Sequence, residues 1–185
     1  MPPKVRITKA QILEGAVALV RRCGADALNA RELAKQLECS TQPIFSNFEN
    51  MEQLKLAVVG EAYRMYWQLV EQVTEEGKYP TYKSSGMAYI RFAQQEKELF
   101  KLLYMRDRSG EHDVADTKAD ELVQHQLQSA MGMSEETAHR FHLEMWAVVH
   151  GFATMAATGF MPLNEDLISN CITDIYQGLC THSQA

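Results

Sequence analysis

One stretch constrains the chain more than any other: Asn29 to Phe48, NARELAKQLECSTQPIFSNF. It has the pattern of two short helices around a tight turn. Asn29 suits the N-cap of the first, since its side-chain oxygen can accept from the free N–H groups of the opening turn. Glu32 stands three residues on, where a capping box takes an acid. Leu33, Ala34 and Leu37 then recur along one helical face. Glu38, Cys39 and Ser40 form the connection, with Ser40 the expected cap of a second helix from Thr41 to about Asn47. In that helix Ile44 and Phe45 are expected to turn inward, and Thr41, Gln42, Ser46 and Asn47 outward. Helices this short do not hold in water without packing partners. The preceding segment supplies one: Ile12, Leu13, Ala16, Leu19, Val20 and Cys23 form a continuous apolar stripe at helical spacing, which places Cys23 in the core.

A three-helix unit with a small polar helix projecting from it is the helix-turn-helix arrangement, whose second helix can enter the DNA major groove. The order of residues carries a resemblance as well. Gly24-Ala25-Asp26-Ala27-Leu28-Asn29-Ala30-Arg31-Glu32-Leu33-Ala34, then Ser40 to Phe48, then Glu52 and Leu54, resembles the N-terminal domain of the tetracycline-repressor (TetR) family of bacterial transcription regulators. The likeness runs from about Thr8 to Leu56. It implies an all-α protein of about nine helices, with a DNA-binding domain at residues 1–50 (motif at about 29–48) and a ligand-binding and dimerisation bundle at 51–185. It also implies a homodimer on a double-stranded DNA operator, released by a small-molecule effector, and more often a repressor than an activator. A helical protein–protein adaptor that does not bind DNA is the alternative.

The charge distribution bears on that choice. Net charge is −6, yet residues 1–50 hold seven Lys or Arg against five Asp or Glu, so an excess of +2 at one end faces −8 on the remainder. A basic end on an acidic body attracts phosphate in one orientation. There is no run of about 18 apolar residues to span a membrane, and Met1-Pro2-Pro3-Lys4 leads into a charged segment without the apolar stretch of a signal peptide. A cytoplasmic protein is expected.

Beyond Phe48 every signal is helical. Asn50 is placed to cap a long fourth helix, apolar on two sides: Leu54, Val58, Met65, Leu69 and Val73 on one, Val59, Tyr63, Tyr66, Trp67 and Val70 on the other. Gly77 and Pro80 end it. Helices follow over about Thr81 to Gln95, through Leu99 to Tyr104, and from Val114 to Met131, with Gly132 as a breaker. Ser134 caps the next, about Glu135 to Thr158, and Asn164 the last, with a stripe of Leu167, Ile168, Cys171, Ile172, Ile175, Tyr176 and Leu179.

Base edges are expected to meet Thr41, Gln42, Ser46 and Asn47, with Gln42 the strongest candidate because a carboxamide can donate to and accept from adenine together. Lys4, Arg6 and Lys9 suit phosphate, as do Asn29 and Arg31 at the start of the first motif helix. The resemblance adds Ser40 and Pro43 to this set. It departs from the family pattern at Phe45, where Tyr is usual, and at Met51, where Lys is common; each substitution removes a phosphate partner. Tyr63, Tyr66, Trp67, Met87, Tyr104, Met105, Phe152 and Met155 are candidate effector contacts, aromatic and Met side chains being suited to flat or greasy ligands. Gly151, Ala153, Ala156 and Ala157 keep one stretch slim. The run Trp146-Ala147-Val148-Val149-His150-Gly151 resembles a motif of one TetR subgroup. In that family the last two long helices form a four-helix interface, which here would use Trp146, His150, Gly151, Ala153, Ile168, Cys171, Ile172, Ile175 and Leu179.

Catalytic signals are weak. Glu136-x-x-His139 occurs once, and His139 and His142 lack an evident third ligand. No Gly-rich phosphate loop or nucleophile elbow is present. The four cysteines form no CxxC, and Cys171 and Cys180 lie too far apart along one helix to pair there. Neither an enzyme nor a cofactor nor a metal is expected.

Overall fold

The structure is a computed structural model that describes residues 7–107, 127–129, 132–162 and 164–183. Lys4, Arg6 and most of the helix expected over 114–131 lie outside the described residues, although Leu127 to Ser129 are helical. The described elements are α1 (Lys9–Cys23), a 3-10 turn (Ala25–Ala27), α2 (Ala30–Gln36), α3 (Gln42–Asn47), α4 (Met51–Glu75), α5 (Thr81–Gln95), α6 (Lys97–Tyr104), α7 (Glu135–Thr158) and α8 (Glu165–Ser183). No strand occurs among the described residues, and the fold is all-α.

Local chemistry sets most helix ends. Thr8 and Gln11 close a reciprocal capping box on α1, Gln11 N donating to Thr8 Oγ1 at 3.2 Å and Thr8 N to Gln11 Oε1 at 2.9 Å. Asn50 Oδ1 accepts from Gln53 N at 2.8 Å, while Gln53 Oε1 reaches back to Glu49 N. Ser134 caps α7 through Thr137 N at 3.2 Å, and Asn164 caps α8 through Leu167 N at 2.7 Å. Gly159 ends α7 at φ 67°, in the left-handed region that a Cβ disfavours.

The chain forms two compact units, the first comprising Met1–Leu69 and Gln95–Arg106, the second Val70–Gln94 and Asp107–Ala185. In the first, α1 packs against α2, α3, α6 and the 3-10 turn. Ile12, Ala16, Leu19 and Val20 of α1 are buried with Leu33, Ile44, Phe48, Leu54 and Val58. α6 joins this body from far along the chain: Leu99, Phe100 and Leu103 are fully buried, and Glu96 at its N-terminus pairs with the Arg21 guanidinium through both carboxylate oxygens. Cys23, expected in the core, is exposed. The apolar stripe ends at Val20, and the 3-10 turn begins beyond Gly24, so the last position of α1 has no packing partner to cover it.

In the second unit α7 packs along α8, and α5 is tied to both. Phe141, Ala153, Ala157, Ile168 and Ile172 are buried. The hydroxyls of Tyr82 and Tyr89 meet Nδ1 of His142 (3.3 Å) and His150 (2.9 Å). Lys83 Nζ donates to Ser169 O, Ser169 Oγ and Thr173 Oγ1 at 2.7–2.9 Å, anchoring α5 to α8 without a carboxylate. Glu165, in the first turn of α8, accepts from Lys78 Nζ (2.8 Å), Tyr79 Oη (2.7 Å) and Arg91 (3.3 Å).

Candidate nucleic-acid interface

The three-helix unit holds α3 by one face only. Ile44 and Phe48, four residues apart, point together into the core and are 0% and 1% exposed. Beneath them Leu33 and Ala34 of α2 meet α1 at close range: a Cβ on Gly15 would stand 2.8 Å from Leu37 Cδ2, and Gln36 Nε2 donates to the Gly15 carbonyl at 2.6 Å. Gln36 Oε1 in turn accepts from Arg22. Lys9 Nζ lies 4.9 Å from the centre of the Phe48 ring, a cation–π contact that links the start of α1 to the end of α3.

Two details of α3 differ from expectation. Ser40 is not the cap: Thr41 occupies that position in helical conformation, and its side chain makes no capping bond. Pro43 in the first turn removes one of the N–H groups a cap would serve, so little is lost. Phe45 does not turn inward and is 49% exposed. A residue one step after Ile44 is rotated about 100° around the helix, and Phe48 already fills the place on Ile44's face. The i, i+4 spacing of Ile44 and Phe48 was the signal that could have separated Phe45 from the core.

The outward set is therefore Gln42, Phe45 and Ser46, all exposed, with Thr41, Pro43 and Asn47 half-buried at its edges and Ser40 exposed before it. Their chemistry differs. Ser46 Oγ donates to Gln42 O at 2.9 Å and Asn47 Nδ2 to Pro43 O at 2.8 Å, so both side chains are partly turned onto their own helix. Among the described residues none hydrogen-bonds the Gln42 carboxamide, which keeps both donor and acceptor for a base edge. Asn29 is occupied: its Oδ1 accepts from Arg31 N (3.1 Å) and Glu32 N (3.0 Å), and its Nδ2 donates to Ala27 O (3.2 Å). Glu32 does not complete the expected capping box, because the acid is exposed and only Asn29 caps. Arg31 and Lys35 project from α2 into solvent. Lys35 was absent from the expected contacts, and its spacing of four from Arg31 was the available signal.

The other expected residues divide between the units. Tyr63, Tyr66 and Tyr104 meet edge to face at 6.3 Å in the first unit, with Phe100 5.2 Å from Tyr104; Trp67 and Met105 there are 44% and 40% exposed. Met87 is buried and Phe152 and Met155 half-buried in the second unit. Of the residues expected at a dimer interface, Ala153, Ile168 and Ile172 are buried within the second unit. Trp146 is 44% exposed and stacks on His150 at 4.7 Å. A Cβ on Gly151 would meet nothing within 4 Å, and Cys171, Ile175 and Leu179 are half-buried.

A three-helix unit that presents a short polar helix beyond a packed core is the helix-turn-helix arrangement of DNA-binding proteins. Residues 83–172 match the family model of the tetracyclin repressor-like C-terminal domain. The chain is 20% identical over 172 residues to the uncharacterised HTH-type transcriptional regulator YobS of Bacillus subtilis, covering 92% of this chain and 90% of that protein. It is 23% identical over 162 residues to an uncharacterised HTH-type regulator of Mycobacterium tuberculosis, covering 84% and 73%. Its fold is shared with a TetR-like transcriptional regulator of Rhodococcus sp. RHA1, at TM-score 0.71 and 15% identity over 96% of each chain. Residues 83–172 thus match a TetR-type C-terminal domain, and the relatives matched over most of the chain are HTH-type transcriptional regulators.

Proposed function

We propose that the chain binds a palindromic operator as a homodimer, represses the adjoining promoter and is released by a small-molecule effector. Residues 1–50 would read DNA and residues 51–185 would bind the effector and dimerise, in the cytoplasm, with no catalytic step, cofactor or metal. The observation that carries this reading is the outward face of α3, where the Gln42 carboxamide has no bond to any described residue and stands between the exposed Ser40 and Ser46. Arg31 and Lys35, exposed on α2, would supply cations for phosphate. One such helix makes few base contacts, which is the physical motive for a twofold pair on two half-sites. Leu143 (55% exposed), Trp146, the open flank of Gly151 and Leu167 (46% exposed) give α7 and α8 apolar surface for a second copy. An effector acts by preferring the conformation that does not fit DNA, and the tyrosine cluster of α4 and α6 is the proposed place for it.

Selection of duplexes from a random library tests the reading. Wild-type protein is expected to enrich an inverted repeat. Gln42→Ala should relax preference at particular base pairs, each worth about 1–3 kcal/mol of discrimination. Arg31→Ala should lower affinity evenly across sequences and reduce the salt dependence by about one phosphate contact. Absence of any enriched sequence at low salt would defeat the proposal.

A further inference from the structure

From the exposure of Phe45 we infer that this side chain reads the C5-methyl group of a thymine in each half-site. The inference rests on the operator-binding reading and adds a sequence determinant to it. Phe45 stands on the face of α3 that also carries Gln42 and Ser46, three residues after one and one before the other, so all three fall within an arc of about 100°. It is 49% exposed, whereas Ile44, about 100° round the helix, and Phe48, just past its C-terminus, are sealed. The ring has no hydroxyl, so it cannot donate to a phosphate or to a base acceptor. What it offers DNA is apolar contact. Among the groups along the major-groove edges of the bases, the thymine methyl is the apolar one, and it distinguishes T·A from every other pair there.

Gln42 and Phe45 then divide the labour by chemistry. A carboxamide three residues away suits an adenine, and the ring suits a thymine methyl within the same half-site. The ring thus supplies base discrimination from outside the core that positions the helix.

The test uses the full-length protein and the duplex it enriches from a random library. Each thymine of the half-site is replaced in turn by deoxyuridine, which removes the methyl group and leaves the hydrogen-bonding edge unchanged. One such replacement per half-site removes two methyl groups from the duplex and is expected to weaken wild-type binding about ten- to twentyfold, each buried methyl group being worth about fourfold. Phe45→Ala should bind the thymine duplex more weakly and should no longer distinguish thymine from uracil at that position. Phe45→Tyr, which keeps the ring, should retain the distinction. Far-UV circular dichroism of both variants controls for folding, and Phe45's exposure makes both tolerable. If wild type binds every uracil duplex as well as the thymine duplex, or if the uracil penalty survives in Phe45→Ala, the inference fails while sequence-specific binding stands. If no duplex is enriched at all, the operator-binding reading fails and takes this inference with it.

Discussion

Asn29 illustrates how a residue's local bonding changes its role. Its oxygen serves two N–H groups of the first turn of α2 and its amide nitrogen serves the Ala27 carbonyl, so the side chain holds the start of the helix and has one amide hydrogen left for DNA. Asn29→Ala is therefore expected to destabilise the protein by about 1 kcal/mol, the usual worth of an N-cap, while Asn29→Asp, which keeps the acceptor, should lose less. Urea unfolding monitored at 222 nm measures both. If Asn29→Ala leaves stability unchanged and abolishes DNA binding, the residue is a contact and the capping account is wrong. Gln42 is the opposite case, exposed and unbonded among the described residues, and nothing in the fold explains its presence there.

At the scale of the element, the first turn of α8 is fixed by charge. Lys78 and Tyr79, hydrogen-bonded to Glu165, hold its carboxyl down to about 2 against an ordinary value near 4.5, with Arg91 adding to the effect. The helix N-terminus favours the same ionised form. Because the folded state lowers this group, the stability it contributes is present above about pH 4.5 and is lost as pH falls toward 2. The site is partly open to solvent, so screening keeps the contribution modest. Wild type should lose thermal stability between pH 5 and 2 more steeply than Glu165→Gln, whose side chain does not titrate. Parallel curves for the two proteins would show that the cluster carries no stability.

The molecule as a whole joins a basic N-terminal stretch to an acidic remainder, which orients it toward DNA by long-range attraction that salt weakens. Its proposed twofold assembly depends on apolar surface of the second unit that the monomer leaves uncovered. Trp146→Glu is expected to yield a monomer in sedimentation with unchanged helical content, because Trp146 is 44% exposed and its removal empties no core. DNA affinity should fall with the dimer, two half-sites then being bound independently. A Trp146→Glu protein that sediments as wild type would move the interface elsewhere.

The amino-acid sequence by itself determined where most of the helices begin and end, the start of α3 excepted. Asn29, Asn50, Ser134 and Asn164 cap as their side chains dictate, and Gly77 and Gly159 adopt the positive φ that stops a helix. These are interactions within a few residues, so they are legible in a short window. The helix-turn-helix was legible for the same reason, with the order of its residues adding the family. Which face of a helix is covered was another matter. Cys23 and Phe45 fit apolar stripes yet lie exposed, because periodicity marks a side of a helix and not the place where its neighbour stops. The seat of α6 against α1, the Arg21–Glu96 pair and the anchoring of Lys83 on α8 join residues 75 to 90 positions apart. Tertiary structure alone decided those, since a contact between distant segments depends on how whole helices pack, and no local pattern of residues encodes it.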